Sequence, residues 1–194
     1  MNPFKTFNNI LKIYINNKAI DQLPFRWSEK HRFYHNINHL IDILQNIEND
    51  INFKELSTQD KHALCVASFM HDIIYDPKKK DNENKSIKYF INSYISKDKM
   101  MMNTICDLIE VTKYRKRPIN KLQKIMWDAD NAGFKRGYET LSKNEKLIAK
   151  EYSFIPKKEY KQKRIEFLTS NLGLFNSSVD KDLNKLIEYI KQNY

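Results

Sequence analysis

Glycine and proline are scarce: 3 and 5 of them punctuate 194 residues. An all-β chain needs turn residues about every 8–12 positions, and this one cannot supply them. A glycine-rich phosphate loop is excluded on the same ground. Gly133 and Gly137 are the one closely spaced pair, and the rest of such a pattern is missing around them. What remains is a helical chain.

Apolar spacing agrees. Phe4, Phe7, Ile10, Leu11 and Tyr14 share one helical face, after which Pro24 is read as a break. A second helix is predicted over about 36–48, carrying Ile37, Leu40, Ile41 and Leu44. Ser57 and Asp60 read as an N-cap for a helix through Ala63, Leu64, Ala67 and Met70 that stops before Asp76-Pro77. A polar loop over 76–82 follows, then helices near 83–95, 99–113 and from 121. Ser142 with Glu145 reads as a capping box, Pro156 ends that helix, and two more are predicted at 158–171 and 178–192. No repeat or low-complexity linker divides the chain. The expectation is a single all-α domain over 1–194, a bundle of about eight helices with its core near 30–135 and a C-terminal helical extension near 140–194.

The formal charge is +10, which invites a phosphate-bearing partner. Only six of the 34 cations are Arg, however, and abundant Lys, Ile and Asn are what an A/T-rich coding sequence yields whatever the function. Bidentate base reading favours Arg, so specific nucleic-acid binding is not expected. Cys65 and Cys106 are far apart in apolar runs and read as buried free thiols in a reducing compartment. The opening Met1-Asn2-Pro3-Phe4-Lys5 carries no signal segment, and no run of 18 apolar residues spans a membrane, so a soluble cytoplasmic protein is expected.

Five histidines are present, and the chemistry gathers around three of them. His35 and His39 are four apart, which on a helix gives them one face. His71-Asp72 sits in the strongly apolar Phe69–Tyr75 run, where burial costs several kcal/mol unless each group finds a partner. Asp128 and Asp130 stand between apolar positions further on. Two imidazoles and two carboxylates suit a divalent cation such as Mn, Fe, Mg, Co, Ni or Zn, which acidifies water and offsets phosphate charge.

With this spacing on a helical chain, the sequence resembles the HD superfamily of metal-dependent phosphohydrolases. The nearer resemblance is to a small predicted HD phosphohydrolase group of about 200 residues. The motifs that carry the resemblance are Tyr34-His35…His39, Phe69…His71-Asp72-Ile73-Ile74-Tyr75-Asp76, Asn82-Glu83…Ser86 and Asp128-Ala129-Asp130. Glu151-Tyr152…Pro156 and Arg164 also fit, so the likeness spans roughly residues 30–170.

The resemblance implies that His39, His71, Asp72 and Asp130 hold the metal, with Asp128 the rival for the last place. It gives His35 the role of proton donor to the leaving oxygen, or of a group orienting a ligand. It gives Asp76 a part in hydrolysis, against a plain helix-end role before Pro77. Lys113, Arg115 and Glu83 are the candidate substrate-binding residues, Glu83 doubling as a first-turn carboxylate. Related proteins carry Thr-x-His near Tyr114. The tyrosine here argues against a second metal held by further histidines.

The expected function is thus hydrolysis of a phosphomonoester or nucleotide by metal-bound water, on a phosphorylated small molecule and away from membranes. The alternative is a non-catalytic HD-like module that binds nucleotide or RNA. An HD-fold oxygenase would need more histidine ligands than this chain offers.

Overall fold

The computed structural model describes residues 2–113 and 116–194. Among these the fold is all-α. Eleven α-helices and two short 3-10 turns account for the regular structure, and the one strand-like feature is an isolated antiparallel bridge between Ile15 and Tyr94. Two compact units divide the chain, Met1–Asp130 and Asn131–Tyr194.

The first unit holds α1 (Pro3–Thr6), α2 (Asn8–Tyr14), α3 (Asn17–Arg26), α4 (Ile37–Glu48), α5 (Thr58–Met70), α6 (Asn82–Ser93), α7 (Lys99–Glu110) and α8 (Lys121–Asp130). Helix α5 is its axis. Every residue from Ala63 to Met70 is buried, as expected of a helix apolar on all sides. Helices α2, α4, α6, α7 and α8 pack around it. Leu40, Ile43, Leu64, Phe69, Ile105 and Met126 are fully enclosed there, each worth about 1.5–3 kcal/mol of transfer free energy. The Ser57 cap forms as the sequence predicts: Asp60 N donates to Ser57 Oγ at 3.0 Å.

Two local expectations change. Pro24 does not break the chain but lies within α3, where burial of Ala19, Leu23 and the following Trp27 outweighs the cost of a proline near a helix end. Helix α4 begins at Ile37 with Asn36 as its cap, so His35 precedes the helix. Helix α5 ends at Met70, before Asp76-Pro77 as the sequence predicts. Of the cysteines, Cys65 is buried and Cys106 half-buried.

The second unit packs α9 (Tyr138–Glu151), α10 (Lys157–Thr169) and α11 (Ser177–Asn193) around Leu141, Leu168, Val179, Leu183, Leu186, Ile187 and Ile190. Gly137, at φ 82°, turns the chain into α9, so Ser142 and Glu145 lie inside the helix and form no capping box. Glu145 instead faces the core. Arg164 Nε donates to it at 2.7 Å and the Tyr160 hydroxyl at 2.6 Å. Arg164 thereby acquires a structural partner within its own unit. Among the described residues no helix is long and apolar enough to cross a membrane.

Candidate metal centre

The site forms where α5 stops. His71 caps the helix, and its Nδ1 lies 2.9 Å from the Ser68 carbonyl. A carbonyl only accepts, so Nδ1 carries a hydrogen and Nε2 is the ring nitrogen left to face the cluster. That Nε2 is buried and makes no hydrogen bond. It faces Asp72 Oδ2 at 3.4 Å and Asp130 Oδ1 at 3.7 Å. Helix α4 brings His39 alongside, with its Nε2 3.1 Å from Asp130 Oδ1. Ligand atoms of His39, His71 and Asp72 lie within 4.8 Å of one another.

Gathering two carboxylates and a buried ring nitrogen without a hydrogen-bond partner is costly, and a cation among them would offset that cost. The donor set, two imidazole nitrogens and two carboxylates, is one that divalent first-row metals accept. Burial works against ionisation of Asp130. The His39 hydrogen bond and the imidazoles of His71, His39 and His35 prevail and hold its carboxyl below the usual carboxylate range. Asp128 turns elsewhere on α8 and takes Lys124 Nζ at 2.7 Å.

The segment after α5 has no helix to satisfy its carbonyls, and side chains supply the donors. Arg32 donates to Asp72 O at 2.7 Å and Ile73 O at 3.3 Å. Ser86 takes Ile74, accepting from its N–H at 3.1 Å and donating to its carbonyl at 3.3 Å. His31 Nε2 reaches Tyr75 O at 2.8 Å. Asn82 pairs with Asp76, accepting from its N–H at 3.1 Å and donating to its carbonyl at 2.9 Å. Five consecutive carbonyls are thus held by two elements, the 31–32 stretch and the first turns of α6. The spacing of Asn82 and Ser86 is one helical turn, which lets both reach the same segment.

The other expected residues fall as follows. His35 is not on a helix with His39. Asn36 caps α4 behind it, yet their ring centroids are 5.7 Å apart because the His35 ring stacks on Tyr75 at 4.4 Å. Asp76 lies past the end of α5 rather than at a helix end, and its Oδ1 accepts from Lys78 N at 2.9 Å in a turn before the exposed Lys78–Lys80 run. Glu83, in the first turn of α6, stands near the cluster: burial pushes its carboxyl up and the charges of Asp72 and Asp130 add to the rise, while a backbone hydrogen bond and Lys113 oppose it. Lys113 Nζ lies 3.3 Å from Glu110. Arg115 and Tyr114 lie outside the described residues.

Sequence reasoning missed Arg32 and Trp27. Trp27 is fully buried, donates from Nε1 to Phe69 O at 3.1 Å, and sets its ring 5.6 Å from that of His71. Compared with known proteins, the chain matches no family model, no curated protein and no solved structure.

Proposed function

We propose that the chain is a metal-dependent phosphohydrolase of the HD type, acting on a phosphorylated small molecule such as a nucleotide. The observation that carries this reading is the buried His71 Nε2. It makes no hydrogen bond and is surrounded by Asp72, Asp130 and His39, an arrangement that a divalent cation completes. His39, His71, Asp72 and Asp130 hold that cation. When bound, it supplies an acidified water and positive charge that offsets phosphate.

The remaining groups act from this chain. His35 stands beside His39 on the Tyr75 ring and holds the proton that leaves with the ester oxygen. Lys113 draws the phosphate toward the cluster. Glu83, whose carboxyl feels the charges of Lys113, Asp72 and Asp130, stands near enough to help place a ligand or that lysine.

The rival reading is a non-catalytic module that binds a nucleotide or RNA. The complete donor set favours the enzyme. Phosphate release across nucleotides and simple phosphomonoesters, with Mn, Mg, Co or Ni added, tests the choice. Activity on one substrate class that disappears in Asp130→Ala supports the enzyme. Metal uptake without hydrolysis of any of them supports the module.

A further inference from the structure

We propose that Arg32 is the positioning residue of the metal centre, joining the two segments that carry its ligands and fixing their separation. The inference rests on the reading that His39, His71, Asp72 and Asp130 hold a cation.

The guanidinium is enclosed, with its side chain 0% exposed. Burying a cation costs several kcal/mol, so each donor must be used well. Nη1 donates to His35 O at 3.2 Å and to Asp72 O at 2.7 Å. Nη2 donates to Ile73 O at 3.3 Å, and Nε to Glu29 Oε2 at 2.9 Å. One planar group therefore bonds the strand of chain that enters α4, from which His39 projects, and the strand that leaves α5 behind His71.

The faces of the same group are also occupied. Its carbon lies 5.5 Å from the Trp27 ring and 5.3 Å from the Tyr75 ring. Trp27 lies against His71, and Tyr75 is stacked on His35. Arg32 thus sits between the two aromatic rings that back the two imidazoles. An ammonium group carries the same charge but lacks the planar fork and the flat faces, so lysine cannot replace it here.

The test is Mn(II) binding, read from the loss of the free-ion electron paramagnetic resonance signal, on the full chain. Wild type is compared with Arg32→Lys, Arg32→Ala and Glu29→Gln. Folding is followed by circular dichroism at the same temperature. We expect Arg32→Lys to stay folded yet bind Mn(II) more weakly by on the order of tenfold or more, as supports of metal ligands commonly do. Glu29→Gln keeps an acceptor for Nε but removes the charge opposite the guanidinium, so it is expected to weaken binding less than Arg32→Lys does. Millimolar guanidinium, but not methylammonium, is expected to restore binding to Arg32→Ala. Equal affinity in wild type and a folded Arg32→Lys overturns the inference alone, as does rescue by methylammonium. If wild type takes up no Mn(II), the metal-centre reading fails and the inference with it.

Discussion

His39 Nε2 and Asp130 Oδ1 lie 3.1 Å apart across 91 positions of chain. Helices α4 and α8 pack side by side, and this contact closes the cluster opposite His71. The pair brings the late aspartate against His39 and His71, whereas its neighbour two positions earlier pairs with Lys124.

Asp130 and Asp128 are therefore expected to differ sharply. Asp130→Asn removes a charge from the cluster, and Mn(II) affinity is expected to fall on the order of tenfold or more, with hydrolysis lost. Asp128→Asn breaks an exposed pair with Lys124, worth at most about 1 kcal/mol, and leaves metal uptake as it was. Parallel calorimetric titrations check this; equal losses in the two variants contradict it.

The clamps on the segment after α5 predict a stability effect. Ser86→Ala strands the N–H and carbonyl of Ile74, and Asn82→Ala strands those of Asp76. Each is expected to cost about 1–3 kcal/mol. Urea unfolding followed by tryptophan emission reports this unit, because Trp27 and Trp127 both lie in it. A change below about 0.5 kcal/mol in both variants, the range of an unimportant surface substitution, contradicts the clamp.

What the sequence reveals, and what it hides, follows from these bonds. The helix faces are written in side-chain periodicity, so α4 to α8 and α9 to α11 can be read from it. Helix α3 cannot, because Pro24 signals a break and only tertiary burial of Leu23 and Trp27 overrides it. The His-Asp motif and the late aspartate are legible because the groups they bring together are side chains, named by residue type. Arg32 is not, since apart from nearby Glu29 its hydrogen-bond partners are backbone carbonyls at positions 35, 72 and 73, and a carbonyl leaves no mark on residue identity. Glu145 misleads for a related reason. Its spacing from Ser142 mimics a cap, while its partners Arg164 and Tyr160 lie on the next helix.

Glu83 gives a pH prediction. Its carboxyl is raised in the folded chain, first by burial and further by Asp72 and Asp130. The folded state thus favours the protonated form. The stability this contributes is full below the unfolded carboxylate range and is lost as pH rises through the folded value. Glutamine mimics the protonated acid. Metal-free Glu83→Gln is expected to match wild type near pH 4 and to be the more stable of the two near pH 7. Thermal melts across that range check the sign; a variant less stable at neutral pH contradicts it.

In the second unit, Glu145 is fully buried and bonded to both Arg164 and Tyr160. Glu145→Ala leaves the Arg164 charge without its counterion, at a cost of about 3–5 kcal/mol. Hydrogen exchange of α9, α10 and α11 is expected to accelerate accordingly. Protection reduced by less than about 1 kcal/mol would mean the pair is worth no more than a surface contact.

The most direct test is the metal content of the purified chain after equilibration with Mn(II) and removal of free ion. Wild type is compared with the double variant His71→Ala, Asp72→Ala. A single cation retained by wild type and none by the folded double variant is the predicted result, whereas equal metal in the two proteins contradicts the account.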